Sequence, residues 1–116
     1  MKRALILGIG GMDGSYLAEH LLSLGYDVHG LHRRSSVDNL WRIKSLLDHI
    51  TLHKGDLADQ ESIAAAFCDC SPNEVYNEAD QDHVSWSQST PAYSMDITAG
   101  AVVRMLELIR RFDPSI

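Results

Sequence analysis

An α/β fold, built on a doubly wound parallel sheet that is truncated after about four strands, is what this 116-residue sequence predicts. Three observations predict it. Glycines at 8, 11 and 14 separate a short apolar run from an amphipathic segment, the order of a strand that turns tightly into a helix. Apolar runs and helical-period segments then alternate along the chain, which implies parallel strands joined by right-handed crossovers. Finally, Asp113-Pro114-Ser115-Ile116 resembles the turn into a fifth strand, so the sheet is expected to stop short and leave an unpaired edge, as in a fragment.

The elements follow in order. Ala4 to Leu7 is continuously apolar, as in a strand buried on both faces. From Tyr16, apolar residues recur at Leu17, Ala18, Leu21, Leu22 and Leu24 with helical spacing, and Gly25 suits the helix C-terminus. Tyr26 to Leu31 is the second strand. Val37 to Leu47 is polar at first and partly helical around Leu40, Ile43, Leu46 and Leu47. Ile50 to His53 is the third strand, Gly55-Asp56 its turn, and Asp59 the cap of a helix running to about Cys70. Ser71-Pro72-Asn73 is a loop signal, and Glu74 to Asn77 begins a fourth strand. A polar stretch runs to Thr90, and Pro91 suits a helix start. The last helix carries Ala92, Met95, Ala99, Val102, Val103, Leu106 and Ile109, with Met95 and Met105 read as core.

Composition narrows the function classes. The chain is expected to form one partial domain over residues 1–116, with 45% hydrophobic and 22% charged residues, ordinary for a globular protein. A net charge of -6 argues against a broad nucleic-acid surface, and no run nears the ~18 apolar residues of a membrane span. With no signal-peptide layout at the start, a reduced cytoplasmic setting is expected. Cys68 and Cys70 suggest neither a disulfide framework nor, without a second pair, zinc. The histidines form no metal-ligand motif; Trp41 and Trp86 read as packing or loop residues.

The glycine turn carries the cofactor argument. Glycine permits positive φ, absent side chains let backbone amides approach a phosphate, and the helix start favours an anion. A dinucleotide pyrophosphate is the expected guest. Arg33 and Arg34 lie 19 and 20 positions after Gly14, where an acid would bond a ribose 2′-hydroxyl and arginine instead pairs with a 2′-phosphate. With Ser35 and Ser36 they form a phosphate cradle, favouring NADP over NAD. Asp56 after the third strand either accepts the adenine amino group, with Leu57 on the ring, or serves ordinary turn bonding.

These segments, together with Asn73-Glu-Val-Tyr-Asn, Gln81-Asp-His-Val and the run from Ser89 through Pro91, Tyr93 and Asp96 to Arg110, resemble the extended short-chain dehydrogenase/reductase family. Within it the chain looks most like the GDP-mannose 4,6-dehydratases, over the whole chain but only the N-terminal third of such an enzyme. The resemblance implies a Rossmann-like NADP domain with a pyrophosphate site at Gly8, Ile9, Gly11, Met12, Asp13 and Gly14. It implies 2′-phosphate contacts from Arg33, Arg34, Ser35 and Ser36, and adenine contacts from Asp56 and Leu57. Glu78, Ala79, Asp80, Gln81 and Asp82 would line the riboses, and Tyr93 the pyrophosphate side. His83 matches a family histidine and is read as structural. The implied activity is that of a lyase on a nucleotide sugar, in an enzyme that pairs into homo-oligomers.

The departures are specific. Family chemistry resembles that of other short-chain enzymes in using a Tyr-x-x-x-Lys pair, and no tyrosine here has lysine four positions on. No catalytic residue is therefore assigned, and the chain by itself is expected to be inactive. Leu7 and Gly10 stand where the family usually has threonine, which is expected to loosen the turn. Glu78, Asp80 and Asp82 bring carboxylates to the end of the fourth strand, where a buried, unpaired charge is costly, so weaker cofactor binding is expected. A related NADP-dependent reductase or epimerase, and a non-catalytic NADP-binding module, are the alternatives.

Overall fold

The computed structural model describes residues 1–116 and contains one four-stranded sheet, all parallel, in the order β3-β2-β1-β4. The strands are β1 (Arg3–Leu7), β2 (Asp27–His32), β3 (Ile50–Lys54) and β4 (Glu74–Asn77). The chain moves outward from β1 to β3 and then returns to lay β4 on the other side of β1. Strand order thus reverses between β1 and β4, and their carboxyl ends border the crevice where open α/β sheets take ligands.

The continuous apolar run of β1 is explained by its two covered faces. Ala4 and Ile6 join Ile9, Ala18, Leu21, Val28 and Ile43 in one core layer, between the sheet and α1 (Met12–Ser23) with the 3-10 turn Trp41–Leu46. Leu5 and Leu7 point the other way, into a layer with Ile63, Ala66, Phe67, Ala101, Met105 and Leu108. That layer is closed by α2 (Gln60–Cys70) and by the helix at the chain's end. Period-2 alternation along β1 therefore feeds both cores.

Most elements fall where the sequence places them. Gly25 follows α1 with φ 81°, and Asp59 caps α2 by accepting from the Glu61 and Ser62 amides at 3.1 and 3.4 Å. Helix α1 begins at Met12, directly on the glycine turn and ahead of the apolar spacing that starts at Tyr16. Two expectations need correction. The polar stretch before Thr90 contains a short helix, α3 (Val84–Ser89), capped by His83. The last helix runs as α4 (Pro91–Met95), a π turn (Asp96–Gly100) and α5 (Ala101–Phe112), and it buries a stripe offset by one residue from the apolar one. Ser94, Ile97, Ala101, Met105 and Leu108 face the core, whereas Met95, Val103 and Leu106 are exposed. Ser94 is polar, so its place in the buried stripe carries no hydrophobic signal.

No helix is long and apolar enough to cross a membrane. Cys68 is exposed and Cys70 buried, and both are free thiols. The π turn is closed by an ion pair between Arg104 and Asp96, and Arg104 also donates to the Leu57 carbonyl at 3.2 Å.

Candidate dinucleotide-binding cleft

Four loops meet at the carboxyl ends of the strands and enclose a cleft of about 1000 Å³. The first is the glycine turn after β1. Gly8 has φ 82°, and a Cβ there would stand 2.6 Å from the Glu78 carbonyl oxygen, so the turn needs glycine for conformation and for space. Gly14 packs directly under the Gly8 carbonyl, leaving no volume for a side chain. The Gly11 amide closes the turn onto the Gly8 carbonyl at 3.0 Å. No side chain caps α1 at Gly11, so the first-turn amides of the helix keep their donors open. Those open donors, at the start of a helix and beside Gly8, Gly10 and Gly11 on the cleft wall, fit the pyrophosphate of a dinucleotide.

Ile9 sits differently from its glycine neighbours. Its side chain is fully buried under the turn, in the space above Gly30 of β2. It can meet a ligand only through its backbone. Met12 and Asp13 lie exposed on the first turn of α1, with Gly14 buried behind them, and none of the three residues walls the cleft.

After β2, Arg33 and Ser35 line the cleft, while Arg34 and Ser36 are exposed outside its wall. The structure adds a second guanidinium, because Arg42 also lines the cleft and stacks 4.3 Å from the centroid of the Trp41 ring. After β3, Asp56 and Leu57 line the wall. One Asp56 oxygen accepts from the Ala58 amide at 2.9 Å, the bond expected of a turn aspartate, and its other oxygen is free for a ligand. Both sequence readings of Asp56 are thus geometrically compatible.

After β4, Ala79, Asp80 and Gln81 line the cleft, and Glu78 and Asp82 do not. All three carboxylates of this stretch are exposed, so the burial cost expected from sequence does not arise. Gln81 fastens the loop: its Nε2 donates to Ser94 Oγ at 2.8 Å, and its Oε1 accepts from the His83 amide at 2.9 Å. His83 Nδ1 accepts from the Trp86 amide at 3.3 Å, the structural role expected of it. Tyr93, half-exposed on α4, completes the far wall.

Sequence reasoning missed several wall residues. Trp41 and Trp86, read as packing or loop residues, are 58% and 60% exposed and both line the cleft. Gly10, Asn39 and His32 also face it, and His32 Nδ1 is buried without a hydrogen-bond partner. A run of polar residues between two elements gave no signal for Asn39. Leu7 is fully buried in the core, and the room that a side chain would take at Gly10 is occupied by the Asn39 carbonyl. The groups with displaced pKa values lie elsewhere. Burial pushes the Cys70 thiol up to about 11, and burial followed by repulsion from His29 lowers His53.

Comparison with known proteins agrees with this geometry. A family model described as GDP-mannose 4,6 dehydratase matches residues 5–115. The chain is 44% identical over 117 residues to the GDP-mannose 4,6-dehydratase of Yersinia enterocolitica, covering 95% of this chain and 32% of that protein. It is 45% identical over 116 residues to the GDP-mannose 4,6-dehydratase of Vibrio cholerae, covering 94% and 31%. The chain therefore spans about a third of the length of the curated relatives it matches. Among solved structures, the UDP-glucose 4-epimerase of Thermus thermophilus in complex with NAD superposes with a TM-score of 0.82 at 26% identity, over 95% of this chain and 34% of that one. The UDP-glucose 4-epimerase of Thermotoga maritima with UDP-glucose gives 0.81 at 25%, over 96% and 35%.

Proposed function

The chain belongs to the GDP-mannose 4,6-dehydratase family, and from that premise we propose that it is the NADP-binding portion of a lyase that dehydrates GDP-mannose to the 4-keto-6-deoxy product. When bound, the dinucleotide supplies a hydride acceptor and donor for the sugar ring. The chain's own part is to hold and orient it. Backbone amides of the turn from Gly8 to Gly14, Ile9 included, receive the pyrophosphate, and α1 directs its positive end there. Arg33 and Ser35 bind the 2′-phosphate, with Arg34 and Ser36 alongside. The free oxygen of Asp56 takes the adenine amino group, and Leu57 packs on the ring. The stretch from Glu78 to Asp82 flanks the riboses, and Tyr93 closes the pyrophosphate side.

One observation carries the choice of NADP: the first polar side chains on the cleft wall after β2 are the Arg33 guanidinium and the Ser35 hydroxyl, and the carboxylate further along the same loop, Asp38, has one oxygen engaged by the Leu40 amide. Proton transfer to and from the sugar belongs to groups outside these residues, since no Tyr-x-x-x-Lys pair is present. This chain by itself accordingly turns over no substrate. The NAD-bound Thermus epimerase favours a second reading, an NAD-dependent enzyme of the same fold.

Calorimetric titration separates the two. NADP should bind more tightly than NAD, and Arg33→Ala should cost about tenfold or more in NADP affinity, the worth of a charge-assisted hydrogen bond, with little change for NAD. Equal affinity for both dinucleotides, or tighter NAD binding, overturns the proposal.

A further inference from the structure

Arg104, Arg110 and Arg111 are tied to Asp96 and Glu107 by ion pairs. The two arginines on the cleft wall, Arg33 and Arg42, have no such partner. Their surroundings are cationic. From position 33 to 44 the chain places Arg33, Arg34, Arg42 and Lys44 against a single carboxylate, Asp38, although its net charge is -6. Asp38 in turn has one oxygen engaged by the Leu40 amide at 2.9 Å. A local excess of positive charge on an acidic protein draws anions to that place.

Arg42 is fixed by a ring rather than by an acid. Its guanidinium carbon lies 4.3 Å from the centroid of the Trp41 ring, and a π face holds a cation without consuming its N–H groups. The fork that would grip a carboxylate is thus left for a ligand. The 3-10 turn that carries the pair is itself anchored. Ile43, the next residue, is fully buried, its amide donates to the Leu40 carbonyl at 3.0 Å, and Leu40 and Leu46 pack on the same core layer. Arg33, by contrast, stands on a segment without helix or strand whose residues 33–38 are all exposed. The Trp41–Arg42 pair also borders a smaller recess beside α1 that holds Glu19, yet Glu19 forms no ion pair with Arg42.

A phosphomonoester is the anion that suits this position. The pyrophosphate has the open amides at the start of α1 to receive it. A 2′-phosphate carries a charge of about -1.5 to -2 at neutral pH, and one arginine neutralises only part of it. We infer that Arg42 is a second cationic ligand of the adenosine 2′-phosphate, held ready by the Trp41 ring, so that dinucleotide choice is shared between Arg33 and Arg42. The inference rests on the NADP reading above. Arg42 touches the cofactor, and Trp41 is a positioning residue that acts through it. NAD has no 2′-phosphate and draws on neither.

The test titrates wild type, Arg42→Ala, Arg42→Lys and Trp41→Leu with NADP and NAD by calorimetry, alongside thermal unfolding to establish that each variant is folded. Arg42→Ala should lose about tenfold in NADP affinity, the worth of a charge-assisted hydrogen bond, and change less than about twofold for NAD. Arg42→Lys keeps the charge but not the fork, and should fall between the two. Trp41→Leu should lose about threefold for NADP, the worth of an exposed cation–π contact, and nothing further when Arg42 is already alanine. Unchanged NADP affinity in Arg42→Ala overturns the inference, and the cofactor reading stands if Arg33→Ala still loses NADP selectively. Equal losses for both dinucleotides also overturn it, because they put Arg42 on the pyrophosphate or in the scaffold. A further loss from Trp41→Leu in the Arg42→Ala background overturns the supporting role of Trp41. A wild type without NADP preference overturns the cofactor reading itself, and the inference falls with it. Both residues are exposed, so their substitution leaves the core intact.

Discussion

Truncating Ile9 to alanine removes the buried support of the glycine turn, and its cost follows from the packing. The side chain is 0% exposed and lies among Ala4, Ile6, Ala18, Leu21 and Val28. Its Cδ1 and Cγ2 both come within 2.5 Å of where a Gly30 Cβ would be, so it fills the space that Gly30 leaves open. Isoleucine-to-alanine changes in cores cost about 2–5 kcal/mol, and more where the walls cannot collapse. With Gly30 offering no side chain to close the gap, Ile9→Ala is placed at about 4 kcal/mol. A domain of this size has roughly 6–17 kcal/mol in total. With a slope of about 2 kcal/mol/M, the urea midpoint followed by circular dichroism should fall by about 2 M. Gly30→Ala alone should cost about 1–3 kcal/mol through overpacking. The double variant should be less damaged than the two singles added together, with a coupling of about 1 kcal/mol, because the two nearest obstructing methyl groups are gone and only the position-9 Cβ, 2.8 Å away, must still shift. A cost below about 1 kcal/mol for Ile9→Ala, or strict additivity with Gly30→Ala, would refute the packing argument.

Three further outcomes are expected. His53 stacks on His29 at 5.2 Å, with its Nε2 2.9 Å from His29 Nδ1, Asp69 3.9 Å from its other nitrogen and Asp27 3.3 Å from the far side of His29. Burial and His29 hold its pKa below the ordinary value of 6.5, so the unfolded chain takes up the proton first. Stability should therefore be intact above that value and decline as pH drops through it, and His53→Phe should flatten the decline in urea titrations between about pH 7 and 5. Iodoacetamide should alkylate exposed Cys68 in the folded chain and spare Cys70, whose thiol is buried and pushed up to about 11; mass spectrometry showing equal labelling would contradict this. Asp59→Ala should remove the α2 cap at a cost of about 1 kcal/mol, read as a lower thermal midpoint, with Asp59→Ser recovering most of it.

How legible each part was depends on where its determinants lie. Strand β1 and the glycine turn are local, since the run Ala4 to Leu7 and the spacing of three glycines state both burial and conformation. The α2 cap at Asp59 is equally local. The last helix was misread by one residue because its apolar side chains occupy two neighbouring stripes, and only packing chooses the stripe of Ser94, Ala101 and Met105. Helix α3 has no buried residue, so no apolar period marks it; its order comes from the His83 cap and from Gln81 tied to Ser94. In the cleft, Arg33 and Asp56 were readable from their distance after a strand. Gly10, Asn39 and Arg42 were not, because their placement is decided by a loop folding onto a distant turn.

The acidic stretch after β4 shows how a structural fact changes the weight of a sequence argument. Three carboxylates near an anionic ligand suggest a disabled site if they are buried, where an unpaired charge costs several kcal/mol. All three are exposed, and only Asp80 stands on the cleft wall. Unit charges 4 Å apart in water interact by about 1 kcal/mol, and salt at 0.1 M screens them over about 10 Å. Glu78 and Asp82 are thus reduced to background charge. Of the three, Asp80 alone joins Asp38 and Asp56 on the cleft wall, where under the proposed reading it would face the open amides at the start of α1 and the Arg33 guanidinium.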